Sequence, residues 1–323
     1  MNSFVLGTGS CLPKRVLANA ELESMVDTSD EWISSRTGIK TRRIAGPGEE
    51  TSKLAAGAAR QALSMAGLTP ADIDIILLGT ITSDMSMPSC ACLVQKELGA
   101  VNAFAYDLNA ACSGFLYALD MADAYLTRDP SLKIMVIGAE TLSTRVNWQD
   151  RNTCVLFGDG AGACLVTGGS PGGVLASKMF SDGRLYDLLS MDSAKGMNPD
   201  LGNFHNQESF ITMTGRDVFR YAVRAMAGAV DHVLTMAGLT ADDITLIIPH
   251  QANIRIVNSL IERLGVAPEK IYVNIDKYGN TSAASIPIAL DEANREGRFG
   301  QGDLLLFCAF GGGFTWGASI IRW

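Results

Sequence analysis

Residues 66–80 read AGLTPADIDIILLGT and residues 237–250 read AGLTADDITLIIPH, and the likeness of these two stretches decides the fold. Each is a helix end, a glycine stop, a turn and then a buried strand. They lie 171 residues apart. At the same offset Ala118-Leu119-Asp120 meets Ala289-Leu290-Asp291, each inside an apolar helical pattern. Residues 134–137 and 304–307 are matching apolar strands at an offset of 170. Residues 158–166 (GDGAGACLV) and 312–320 (GGFTWGASI) are Gly-rich turns leading into strands, at a shorter offset. Four such pairs in one order mark an internal duplication.

Each half alternates strands with helices, and its strands are apolar enough to need cover on both faces. Two halves stacked predict a five-layered α/β/α/β/α fold with buried central helices over 114–126 and 283–294. The first half is expected over 1–170 and the second over 171–323, joined at the breaker cluster of residues 168–173. Residues 140–154 are extra material that the second half lacks.

Composition narrows the function. At 47% hydrophobic and 19% charged, the chain of 323 residues is an ordinary globular enzyme rather than a disordered or fibrous protein. A net charge of -8 argues against nucleic-acid binding. The N-terminus lacks the basic lead of a secretory signal, and no run of about 18 apolar residues occurs, so neither export nor a membrane span is expected. Seven cysteines without a CxxC pair fit neither a disulfide framework nor a zinc site. Cys11, Cys90, Cys92, Cys154, Cys164 and Cys308 read as reduced core residues of a cytoplasmic protein, with no metal.

The remaining cysteine is different. Cys112 lies in residues 107–115 (DLNAACSGF), between a strand and a buried helix, with small neighbours that leave room for a substrate. A free cysteine is commonly inert core. At a helix N-terminus, however, the thiolate is favoured and a lowered pKa is expected. The equivalent position in the second half is Ala283, so the thiol is not repeated. That half offers Asn280 just before its helix, and His250 where the first half has Thr80 at the strand end. Two pseudo-equivalent loops then bring a nucleophile and a donor pair to one pocket. Of the other two histidines, His232 reads as a surface or packing residue and His205 as a solvated loop residue. The glycine run before Phe314 lacks the Lys-Ser/Thr of a phosphate loop and suits backbone amides approaching a carbonyl oxygen.

Together, residues 107–115, 157–163 (FGDGAGA), 249–253 (PHQAN), 279–285 (GNTSAAS) and 310–317 (FGGGFTWG) resemble the β-ketoacyl-acyl-carrier-protein synthase III family, over essentially the whole chain. The resemblance implies a thiolase-like fold and a decarboxylative condensation of a short acyl-CoA, acetyl-CoA by preference, with malonyl-acyl carrier protein. It starts fatty acid synthesis and needs no cofactor beyond the coenzyme A thioester substrate. Cys112 would carry the acyl group, with His250 and Asn280 stabilising the enolate. The amides of Cys112 and Gly312 would form the oxyanion hole. Trp32, Arg36, Arg151 and Asn253 would bind coenzyme A, and Met87 and Phe157 would flank the acyl chain. Arg255, with the helical stripe of Arg216, Arg220 and Arg224, would dock the acidic carrier protein. The family also implies a homodimer.

Three other readings share these motifs. A ketosynthase of secondary metabolism differs in primer and carrier. A hydroxymethylglutaryl-CoA synthase needs a glutamate near residue 80, and residues 79–84 (GTITSD) contain none. A thioesterase, an acyltransferase or a binding protein on the same fold has no need of His250 and Asn280 together.

Overall fold

The computed structural model describes residues 2–170, 172–192 and 209–323; His205 lies outside them. β1 (Asn2–Cys11) opens the first half, followed by a ribbon of β2 (Arg15–Ala18) and β3 (Thr41–Ile44) with α1 (Asn19–Leu22) and α2 (Asp30–Thr37) between them. Then come α3 (Thr51–Ala66), β4 (Ile75–Gly79), α4 (Cys90–Leu98), β5 (Phe104–Leu108), α5 (Gly114–Arg128), β6 (Lys133–Thr141), α6 (Arg151–Cys154) and β7 (Asp159–Ser170). The second half runs through β8 (Gly173–Ser181), a ribbon of β9 (Leu189–Met191) and β10 (Ile211–Met213), α7 (Gly215–Ala237), β11 (Leu246–Pro249) and α8 (Ile254–Leu264). It ends with α9 (Ile275–Tyr278), α10 (Ser285–Arg295), β12 (Leu304–Gly311) and β13 (Thr315–Arg322).

The motif that revealed the duplication has a physical basis. Gly67 and Gly238 both end their helices at φ +66°, the left-handed conformation that glycine adopts without penalty. The next N–H closes each helix, Leu68 donating to Leu63 O at 3.0 Å and Leu239 to Leu234 O at 2.9 Å. The Thr69 and Thr240 N–H groups then donate to the Asp72 and Asp243 carboxylates, each at 2.8 Å. That turn launches β4 in one half and β11 in the other.

The sheets have the orders β1-β7-β6-β4-β5 and β11-β12-β13-β8. Read backwards, the second repeats the first four strands of the first. Ile75 pairs with Ile134, and Leu246 with Leu305. Both members therefore step by 171 residues, so residues 134–137 match 305–308, one later than the offset of 170 suggested. The same step places Gly79, not Thr80, at His250, and strand pairing aligns Val166 with Ile321 rather than Ile320.

Side chains alternate across each strand. Ile75 and Leu77 pack with α5 and α10, while Ile76 and Leu78 pack with α3 and α4. In the second sheet Leu246 and Ile248 join α5 and α10, while Ile247 faces α7 and α8. The five layers are thus α3/α4, the first sheet, α5/α10, the second sheet and α7/α8. No helix among the described residues is long and apolar enough to cross a membrane. The extra segment joins β6 to β7 over residues 142–158, where β12 reaches β13 across 312–314. Cys11 and Cys92 are half-buried rather than fully core, and all seven cysteines are free.

Each half sends a turn against a central strand of the other. A Cβ on Gly138 of β6 would lie 2.1 Å from Ala283 O, and one on Gly311 of β12 would lie 2.6 Å from Cys112 N. Gly138→Ala is therefore expected to lower the unfolding free energy by about 1–3 kcal/mol. Gly300→Ala, where an added Cβ meets nothing within 4 Å, should stay within about 0.5 kcal/mol. Denaturant titration measures both, and equal midpoints would contradict this packing.

Candidate active site

A cavity of about 980 Å³ opens where the two halves meet. Its wall includes Cys112, His250, Asn280, Gly312, Phe157 and Asn253, with Arg36, Arg216 and Arg255 from exposed positions. Its apolar lining includes Ile81, Leu142, Phe157, Leu189, Met191 and Ile211.

Cys112 sits in a single 3₁₀ turn (Ala111–Ser113) before α5, and Ser282–Ala284 forms the matching turn before α10. Ala111 has φ +46° and Ser282 φ +50°, at positions 171 apart. Left-handed backbone at non-glycine residues costs about 1–3 kcal/mol and persists where packing enforces it. Here the duplication has kept the strained turn in both halves. Thr315 ties the Cys112 turn to the glycine run, its hydroxyl lying 2.8 Å from Ala110 O and 3.1 Å from Gly312 O.

The expected depression of the Cys112 pKa is corrected by the structure. Burial pushes the thiol up to about 12; the Ser282 hydroxyl opposes this and the Glu140 charge adds to it. Desolvation of the thiolate outweighs the helix end.

His250 follows β11, its N–H donating to Cys308 O at 2.8 Å. Burial drives its pKa down to about 3, so the ring is neutral near pH 7. Its Nδ1 lies 2.6 Å from Ser285 Oγ, which also accepts the Gln251 N–H at 3.4 Å. The ring proton stands on Nε2 where the Ser285 hydroxyl donates to Nδ1, and on Nδ1 where that nitrogen donates to Ser285 Oγ. Asn280 is held by backbone on both sides: its N–H donates to Leu156 O at 2.9 Å, and Gly158 N–H donates to its carbonyl at 3.0 Å. Its Oδ1 accepts the Ser282 N–H at 2.8 Å, leaving the side-chain NH2 as donor.

The arginines divide into two groups. Arg36 and Arg151 place their guanidinium carbons 4.9 and 5.2 Å from the centroid of the Trp32 ring, forming one cation–π cluster. Arg36 reaches the cavity wall, whereas Trp32 and Arg151 stand outside it. Arg216, Arg220 and Arg224 are exposed along α7, and Arg220 pairs with Asp217 at 3.1 Å. Arg255 lies over the Phe219 ring at 5.7 Å. Asn253 caps α8, its Oδ1 accepting the Arg255 N–H at 2.9 Å. Met87 does not flank the acyl pocket of its own chain: it is 85% exposed, in the loop leading to α4, and lines no part of the cavity. His232 is exposed, edge-on to Phe180.

Four polar residues of the site escaped the sequence reading. Ser285 and Thr315 stood inside recognised motifs without a role, and a serine one turn into a helix carries no signal of its own. Ser282 is visible only through the backbone angle of its turn. Glu140 is distant in sequence from Thr80 yet accepts its hydroxyl at 3.3 Å.

The family model described as 3-oxoacyl-[acyl-carrier-protein (ACP)] synthase III matches residues 106–183, and the model of its C-terminal part matches residues 234–323. A β-ketoacyl-[acyl-carrier-protein] synthase III of Desulfotalea psychrophila is 55% identical over 325 aligned residues, covering 100% of both chains. The crystal structure of 3-oxoacyl-[acyl-carrier-protein] synthase III from Aquifex aeolicus superposes with a TM-score of 0.92 at 49% identity, covering 99% of this chain and 100% of that one. The priming β-ketosynthase of the R1128 polyketide pathway superposes with a TM-score of 0.91 at 37% identity, covering 99% and 96%. On these matches and on its duplicated fold, the chain belongs to the β-ketoacyl-acyl-carrier-protein synthase III family of thiolase-fold condensing enzymes.

Proposed function

We propose that the chain condenses a short acyl-CoA, acetyl-CoA in the first instance, with malonyl-acyl carrier protein to give 3-ketoacyl-acyl carrier protein, coenzyme A and carbon dioxide. The observation that carries this reading is one cavity holding a thiol from the first half and two neutral donors from the second. Cys112 Sγ attacks the acyl thioester, its C–S bond forming as coenzyme A leaves. The amides of Cys112 and Gly312 would take the oxyanion. Loss of carbon dioxide from the malonyl group then leaves an enolate, and the Nε2–H of His250 and the NH2 of Asn280 are the donors for its oxygen. A neutral histidine suits this role, since it is already a donor and needs no proton from solvent. Decarboxylation supplies the carbanion, so no resident cofactor or strong base enters the scheme.

The Trp32, Arg36 and Arg151 cluster would hold coenzyme A, by stacking on the base and pairing with phosphate. Phe157 and its apolar neighbours would take the acyl chain. A polyketide-priming reading is favoured by the 37% identity to the R1128 enzyme, and differs in primer and carrier rather than in site chemistry.

Removing one donor from such a site costs about 100- to 1,000-fold. His250→Ala and Asn280→Ala are each expected to slow malonyl-carrier-protein decarboxylation by about that factor while acyl loading of Cys112 persists. Cys112→Ala is expected to abolish condensation and keep decarboxylation. Separate loading and decarboxylation assays measure the split, and loss of both steps in all three variants would contradict it.

The exposed arginines of α7 and Arg255 form the docking face for the acidic carrier protein. A second copy of the chain is the partner for the β5 edge, where Phe104, Val101, Met85 and Met87 are exposed. Reversing charge at Arg220 and Arg255 should raise KM for malonyl-acyl carrier protein about tenfold, as expected when charge complementarity is lost. The sedimentation mass should stay at that of two 34.3 kDa chains. An unchanged KM would sink the docking face, and a monomer mass would sink the dimer.

A further inference from the structure

Arg42 of β3 is fully buried, lines no part of the cavity and takes no part in either chemical step above. Among the described residues its hydrogen bonds run to uncharged oxygens, and its Nε has no partner. Two of those oxygens belong to Leu17 and Val155, members of an apolar cluster with Ile33 and Ile39. A buried cation without an anion is costly, and an apolar side chain would fill the same space without that cost. What an apolar side chain cannot do is tie separate segments of chain together.

The guanidinium fork does so. NH1 donates to Leu17 O of β2 at 3.3 Å and to Asn19 Oδ1 at 2.8 Å. NH2 donates to Val155 O at 2.8 Å, 113 residues away and directly after α6. Asn19, 1% exposed, carries the link onward. Its Nδ2 donates to Asp30 Oδ1 at 2.7 Å, Ser34 Oγ at 3.2 Å and Ile39 O at 2.7 Å. Those three acceptors lie at the start of α2, in its middle and just beyond its end. The Arg42 stem also packs on the chain after α6, where a Cβ added to Gly158 would lie 3.0 Å from Arg42 Cβ. Trp32 and Arg36 stand on α2, and Arg151 opens α6. A second tie between these segments is exposed: Arg151 NH1 donates to Asp27 O at 2.7 Å and stands 3.4 Å from its carboxylate. Solvent weakens such a surface pair.

We propose that Arg42 is the positioning residue of the coenzyme A cluster. Through Asn19 it fixes α2 against α6, and so sets Trp32 and Arg36 opposite Arg151 before the thioester arrives. The proposal rests on the reading of that cluster as the coenzyme A site. Fixing the two segments in advance spares binding the cost of ordering them. Burial lowers the Arg42 pKa to about 10, so the guanidinium keeps its charge near neutral pH and donates strongly. A lysine would keep the charge but has one nitrogen in place of the fork.

The test compares acetyl-CoA with S-acetyl-N-acetylcysteamine, a thioester without the nucleotide, in wild type, Arg42→Lys, Asp30→Ala and Trp32→Ala. Arg42→Lys should raise KM for acetyl-CoA about tenfold, the loss of one charge-assisted hydrogen bond, with kcat unchanged. Its kcat/KM for the short thioester and its malonyl-carrier-protein decarboxylation should match wild type. Asp30 is exposed, so Asp30→Ala cuts the network outside the core and spares folding; it should raise KM for acetyl-CoA about threefold. Equal losses with both thioesters would show that Arg42 only holds the fold and would overturn the proposal. So would an unchanged acetyl-CoA KM in Arg42→Lys or, should that variant not fold, in Asp30→Ala. An unchanged KM in Trp32→Ala would instead overturn the coenzyme A reading beneath it.

Discussion

Two backbone turns, one from each half, pack onto the central strand of the opposite half, with glycine at each meeting point. Gly138 admits the Ala283 carbonyl to β6, and Gly311 admits the Cys112 backbone to the end of β12. A methyl group at either position would force the halves apart, and with them Cys112 from His250 and Asn280. The left-handed conformations of Ala111 and Ser282 belong to the same constraint, since each turn must reverse sharply between strand and helix to reach its partner strand. The buried helices α5 and α10 follow those turns and fill the space between the sheets, so core and site are built by one geometry.

That closeness also sets the electrostatics. The site excludes enough water to hold His250 uncharged and Cys112 protonated. A neutral imidazole serves an enolate well because its donor is fixed before charge develops. A protonated thiol is less convenient, and the helix N-terminus is insufficient to ionise it. The Ser285 hydroxyl lies 2.6 Å from His250 Nδ1, and donation to that nitrogen would leave the Nε2–H for the cavity.

The repeat, the five layers and the convergence of Cys112, His250 and Asn280 on one cavity were legible in the sequence, because each leaves a local mark. The Gly67 and Gly238 stops and the Thr-Asp turns after them depend on short-range hydrogen bonds that fix residue type at fixed spacing. The register was read one residue wrong in β12 and at Thr80, since runs of Ile and Leu look alike when shifted and only strand pairing separates them. Glu140 was read as the start of an insertion. Its contacts to Thr80 and Thr82 span about sixty residues across two parallel strands, and nothing local to it signals them. The thiol pKa was misjudged for a related reason: a helix end is visible in sequence, whereas the depth at which it is buried is not. Met87 was placed from resemblance alone, and the structure leaves it 85% exposed in the loop leading to α4.

The account turns on a covalent acyl group at Cys112 that malonyl-acyl carrier protein removes. Peptide mass spectrometry after exposure to a panel of acyl-CoAs, followed by a chase with malonyl-acyl carrier protein, tests that directly. The predicted result is one acyl group on the peptide containing Cys112, lost in the chase as 3-ketoacyl-acyl carrier protein, with the best-loading thioester identifying the primer. A Cys112 peptide left unmodified by every acyl-CoA would contradict it.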